Sequence, residues 1–136
     1  MSYISKFVKK ETTYMPLVHK HIIVRAEVNK PLNNVEVVKI WMDELIQKIN
    51  MKKLAGPLVE YCNTPGNQGI TAVVVIETSH CAIHIWDECT PSLVQLDVYT
   101  CSTLPIDKVL EHLQVMEPTK VEYKYLDREH ELQILK

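Results

Sequence analysis

Apolar residues change their spacing several times along this chain, and each change marks an element. His21 to Val28 reads HIIVRAEV, rich in β-branched residues and followed by turn formers from Asn29 to Asn33 with Pro31, so a strand and then a loop are predicted. From Asn34 to Met51 the period becomes helical, with Val38, Trp41, Met42, Leu45 and Ile49 on one face. Asn33, with Glu36 three residues on, predicts the helix cap. Leu58 to Cys62 predicts a short strand and Asn63 to Gly69 (NTPGNQG) a loop. Ile70 to Ile76 is almost wholly β-branched, the pattern of a strand covered on both faces.

Glu77 and Thr78 interrupt that run, and His80 to Trp86 resumes it. A hairpin follows, and its turn lacks the Gly or Asn that the tightest turns prefer, which leaves room for backbone strain. After a loop from Cys89 to Ser92 containing Pro91, Leu93 to Cys101 reads as a strand. It carries Gln95, Asp97, Tyr99 and Cys101 on one face and Val94, Leu96 and Val98 on the other. Pro105 precedes Ile106, Val109, Leu110 and Leu113 at helical spacing, a second helix ending before Pro118. Val121, Tyr123 and Tyr125 alternate with charged residues in a last strand.

The order β-α-β-β-β-β-α-β predicts an α+β fold, a two-layer α/β sandwich whose mainly antiparallel sheet carries both helices on one face. Residues 1–17, closed by Pro16, have no clear period and are expected to form an N-terminal arm, with 18–136 as a single domain. A length of 136 residues with 46% hydrophobic and 24% charged positions suits one core and excludes a disordered chain.

A formal net charge of -2 gives no general attraction to nucleic acid or anionic lipid. The strongest apolar run, Ala72 to Ile76, is far shorter than the ~18 residues of a membrane span, and no secretion signal is read at the N-terminus. A cytoplasmic protein is expected. Its four cysteines, Cys62, Cys81, Cys89 and Cys101, form no C-x-x-C pair and read as free thiols.

Candidate chemistry gathers where Ser79, His80, Cys81, His84 and Cys89 crowd eleven residues. Taken alone, the cluster admits a plain reading as turn and surface residues. It also admits a metal site, although its spacing matches no common structural zinc pattern.

A third reading comes from the wider pattern. The stretch GITAVVVIETSHCAIHIWDE followed by LDVYTC resembles the core signature of the prokaryotic S-adenosylmethionine decarboxylases. There a Val/Ile strand leads to Ser-His, then Ile-His, an aromatic residue and Glu, and after a loop Asp-x-aromatic-Thr-Cys. The matching residues here are Ser79, His80, Ile83, His84, Trp86, Glu88, Asp97, Tyr99, Thr100 and Cys101.

The resemblance implies a chain that cleaves itself between Thr78 and Ser79, Ser79 becoming a pyruvoyl cofactor. That ketone would hold the substrate amine as a Schiff base and accept the electrons released with CO2. It further implies that His84 and Thr71 assist processing, that Cys101 returns a proton to the substrate, and that Glu88 and Trp86 contact the substrate. No metal is implied. Because Ser79 and His84 would point to opposite faces of a straight strand, a bend between them is expected. The family assembles as dimers, so a homodimer acting on a small molecule in spermidine synthesis is expected.

The chain also departs from the pattern. Thr78 stands where the family usually carries Glu, with Glu77 one residue earlier, and the loop before Ile70 lacks an aromatic residue for adenine. Two other readings follow from these departures: a pyruvoyl-dependent decarboxylase of ornithine or arginine, and an unprocessed, non-catalytic relative acting as a binding or regulatory subunit.

Overall fold

A computed structural model describes residues 18–136; the arm expected over 1–17 lies outside the described residues. Seven strands form one sheet: β1 (Lys20–Val28), β2 (Lys53–Cys62), β3 (Gly69–Ile76), β4 (Ser79–Trp86), β5 (Ser92–Thr100), β6 (Pro118–Asp127) and β7 (Gln133–Ile134). Their order is β2-β3-β4-β5-β1-β6-β7, and every neighbouring pair is antiparallel. Two helices, α1 (Val35–Lys48) and α2 (Ile106–His112), complete the second layer, the latter running into a short 3₁₀ turn over Leu113–Met116.

Alternation along the strands decides where the core sits. Ile22, Val24 and Ala26 of β1, Ala72 and Val74 of β3, Ile83 and Ile85 of β4, and Leu96 and Val98 of β5 are buried with Val38, Met42 and Leu45 of α1 and Val109 of α2. The expected two-layer sandwich is therefore present. Ile70 to Ile76 is covered on one face only, however: Val73 and Val75 are exposed, as are Ile23 of β1 and Leu58 of β2. Both helices pack on the other side, so none of the described residues covers this sheet face.

The helices are held at both ends by local chemistry. Helix α1 is capped by Asn34, one residue later than the sequence suggested, because Asn34 has an extended backbone and its side chain accepts the Val37 N–H, the third helical amide. At the other end Asn50 takes a left-handed conformation, φ 58°. Asn50 N–H donates to Gln47 O and Met51 N–H to Ile46 O, the pairing that closes a helix on a left-handed residue. Trp41 and His112 tie the two helices together by donating to each other's backbone carbonyls, at 3.0 and 2.8 Å.

Strand β2 begins five residues before the predicted Leu58. Its register slips around Gly56 and Pro57, residues that locally break a strand pattern. Gly69 opens β3 at φ 149°, where an added Cβ would lie 1.8 Å from Ile85 O. Only glycine fits so close an approach.

Candidate active site

Strands β3 and β4 meet in a two-residue turn, Glu77 and Thr78, between the paired residues Ile76 and Ser79. Thr78 has φ 53°. Three side chains converge on one acceptor here: the Glu77 carbonyl oxygen takes hydrogen bonds from Ser79 Oγ at 2.9 Å, Thr78 Oγ1 at 2.8 Å and Cys101 Sγ at 3.1 Å. Cys101 reaches the turn because β5 pairs beside β4, Tyr99 opposite His80, and the chain ends that strand one residue before the thiol. The Glu77 N–H in turn donates to Lys52 O at 3.0 Å, which docks the α1–β2 connection against the turn. A cleft of about 540 Å³ opens there, lined by Asn50, Met51, Lys52, Glu77, Thr78, Cys101 and Ser102.

The remaining sequence-predicted residues form a second group toward the other end of β4. Thr71 and His84 are cross-strand partners, with Thr71 Oγ1 3.1 Å from His84 Nδ1. The His84 ring lies 5.7 Å from that of Trp86, whose indole N–H donates to Asn67 Oδ1 at 2.8 Å. Glu88 accepts the backbone N–H groups of Gln68 and Gly66 at 2.7 and 3.0 Å, and those two bonds hold its carboxyl below the usual carboxylate range. Next to it Asp87 accepts the Tyr61 hydroxyl. Together these contacts pin the 63–68 loop to the end of β4.

The bend expected between Ser79 and His84 is absent. Strand β4 alternates without interruption from Ser79 to Trp86, Cys81, Ile83 and Ile85 pointing into the core. Ser79 therefore shares the core side at the strand's end, whereas His84 stands on the open face five residues on, roughly 16 Å along the strand. The regular ladder with β3 and β5 leaves no slack for a kink. The metal reading also finds no support in this arrangement, since Cys81 is buried opposite His80 and His84; burial pushes its thiol up to about 12. Among the described residues no group of three or more His, Cys, Asp or Glu is placed to hold a metal ion.

A polar cluster on the open face was not anticipated from the sequence. His21 Nε2 donates to Asp97, His80 Nε2 lies 3.6 Å from the same carboxylate, and Arg128 donates to His21 Nδ1 at 3.1 Å while stacking 4.2 Å over the Tyr99 ring. Burial pushes the Asp97 carboxyl up, but the His21 hydrogen bond and the two imidazoles outweigh it and leave the group below its ordinary value. Asp97 and Tyr99 were legible as one face of β5. Their partners come from β1, β4 and the end of β6, so only strand pairing brings them together.

Comparison with known proteins gives a consistent result. The family model described as S-adenosylmethionine decarboxylase matches residues 20–129. An S-adenosylmethionine decarboxylase proenzyme of Archaeoglobus fulgidus is 30% identical over 95 residues, spanning 68% of this chain and 80% of that protein. One of Sulfurihydrogenibium is 27% identical over 99 residues, 71% of this chain and 70% of that protein. In fold, the chain is similar to the adenosylmethionine decarboxylase of Aquifex aeolicus, with a TM-score of 0.63 and 19% identity, covering 90% of this chain and 98% of the other. Among the described residues no helix is long and apolar enough to cross a membrane.

Proposed function

The chain belongs to the S-adenosylmethionine decarboxylase family, and on that premise we propose that it is made as a proenzyme that cleaves itself between Thr78 and Ser79 and then decarboxylates S-adenosylmethionine. The observation that carries this reading is the meeting of the Ser79 hydroxyl and the Cys101 thiol on one carbonyl oxygen beside an open cleft.

In processing, Ser79 Oγ bonds to the Thr78 carbonyl carbon as the peptide C–N bond breaks, and the hydroxyl proton ends on the freed amine. Loss of the residue 79 α-proton then breaks the Cβ–O bond and releases Thr78 as a carboxylate. Water replaces the nitrogen of the resulting dehydroalanine, ammonia leaves, and a pyruvoyl group remains. Ser79 at a turn, next to the cleft-lining Thr78 and sharing an acceptor with the Cys101 thiol, suits such a group. Once formed, the pyruvoyl ketone supplies the electron sink for decarboxylation. Cys101 is proposed to hold the proton that returns to the substrate α-carbon, and the cleft to orient the substrate.

Processing also needs a base near Ser79, and His84 of the same chain is too far along β4 to serve. We infer that a second copy supplies it: the sheet face that the described residues leave open carries exposed Ile23, Val73 and Val75 together with the Thr71–His84 pair, and a two-fold pairing of these faces would carry His84 and Thr71 of one copy toward the β3–β4 turn of the other, at whose edge Ser79 sits. Glu88 and Trp86 of that same copy would then hold the substrate. Intact mass spectrometry tests the first step, with a fragment ending at Thr78 and a blocked fragment starting at residue 79 as the expected products. Release of CO2 from S-adenosylmethionine by the processed protein tests the second. A fully processed protein that releases none would overturn the substrate.

A further inference from the structure

Thr78 holds the scissile carbonyl in a backbone conformation that its side chain opposes. At φ 53° it lies in the left-handed region, where a β-branched residue is an outlier because its Cβ crowds the neighbouring backbone. The other described non-glycine residues with positive φ, Asn50 and Glu117, end helical segments and are not β-branched. Gly or Asn would take this turn position with little penalty.

The surroundings keep Thr78 there. Ile76 and Ser79 on either side of the turn are paired in the ladder, β3 and β4 each have neighbours on both edges, and Glu77 is held at its N–H by Lys52 and at its carbonyl by three donors. Strain of this kind persists only when neighbouring structure over-determines it.

We propose that Thr78 is a positioning residue for self-cleavage, its β-branched side chain loading backbone strain onto the scissile peptide that is released as the bond breaks. The inference rests on the cleavage proposed above and adds what drives it. Moving the Thr78 acyl group from the Ser79 nitrogen to Ser79 Oγ exchanges a stable amide for a less stable ester. Strain present in the amide and relieved along that path lowers the barrier. Thr78 Oγ1 and Cys101 Sγ also keep the Glu77 carbonyl hydrogen-bonded when Ser79 Oγ leaves it to attack.

The test compares Thr78→Gly, Thr78→Asn and Thr78→Val, made by cell-free synthesis and followed by intact mass over time. Each substitution is also made in a Ser79→Ala chain, whose Tm reads the uncleaved fold. Gly should slow cleavage on the order of tenfold and Asn by less. Val, which keeps the branch and loses only the hydroxyl, should match wild type. In the Ser79→Ala chain the Asn substitution should raise Tm. Slower cleavage from a more stable precursor is a combination that structural damage does not produce. Gly and Asn chains that cleave as fast as wild type would overturn the strain, as would a Val chain as slow as Gly, which would assign the effect to the hydroxyl. A wild-type chain that never cleaves sinks the processing reading itself.

Discussion

Trp41 and His112 hold α1 and α2 together through paired bonds, indole N–H to the His112 carbonyl and imidazole Nε2–H to the Trp41 carbonyl, with the two rings 4.5 Å apart. Burial lowers the His112 pKa; the Trp41 backbone bond and Glu44 and Glu111 oppose this, and Lys48 adds to it, leaving the group below its ordinary value. The unfolded chain therefore binds a proton at a higher pH than the folded one. Stability should be full above the unfolded value of ~6.5 and fall as pH drops from there toward the lower folded value. Urea midpoints at pH 7.5 and 5.5 measure the fall, which should shrink in His112→Gln. Trp41→Phe, which leaves the buried His112 carbonyl without its donor, should cost about 1–3 kcal/mol.

Ser79 and Cys101 should separate processing from turnover. Ser79→Ala is expected to remain one uncleaved chain with no decarboxylase activity. Cys101→Ala is expected to cleave, then to release CO2 about 10²–10⁴-fold more slowly for want of a placed proton donor. Mass spectrometry and a CO2 assay on the same samples distinguish the two. A Cys101→Ala chain with unchanged turnover would remove the thiol from the reaction.

The proposed sharing of sites between two copies makes a distinctive mixing experiment. In the proposed processing Ser79→Ala would lack the nucleophile and His84→Ala the base, so each alone should stay whole. Unfolded together and refolded, they should form mixed dimers in which Ser79 of one chain meets His84 of the other. Appearance of cleaved His84→Ala chain, with uncleaved Ser79→Ala chain beside it, is the expected result. No cleavage in a mixture that light scattering confirms as dimeric would exclude sites shared between copies.

Glu88 is oriented by the Gly66 and Gln68 amides, and its negative charge is what those bonds favour. Glu88→Gln should loosen the 63–68 loop and raise KM for S-adenosylmethionine by about tenfold, with a smaller change in kcat, as expected when a charge-assisted contact made to bound substrate is lost. Steady-state kinetics with S-adenosylmethionine, ornithine and arginine would register the change.

Much of this architecture could be read locally. The stripe Val38, Trp41, Met42 and Leu45 marked α1's buried face, and alternation in β5 separated Val94, Leu96 and Val98 from Asp97 and Tyr99. The weak turn chemistry at Glu77 and Thr78 marked the place where the backbone is forced left-handed. What local pattern could not supply was depth across the sheet. Whether Asn33 or Asn34 caps α1 depends on which side chain meets a particular amide. The first half of β2 was hidden by Gly56 and Pro57. The His21–Asp97–His80 cluster needed the register of β1, β4 and β5 together. The expected bend failed for a related reason: continuity of β4 is enforced by neighbours on both edges, and spacing within one segment carries no trace of them.

The strand order has a further consequence once the chain is cut. A break after Thr78 would leave β1, β2 and β3 in one fragment and β4 to β7 in the other. These are not neighbouring blocks, because β1 lies between β5 and β6. The fragments would share three hydrogen-bonded seams, β3 with β4, β5 with β1, and β1 with β6. To separate, the products would have to draw one strand out from between two others, so the cut molecule should persist as a single interleaved body whose halves part only when the whole sheet melts.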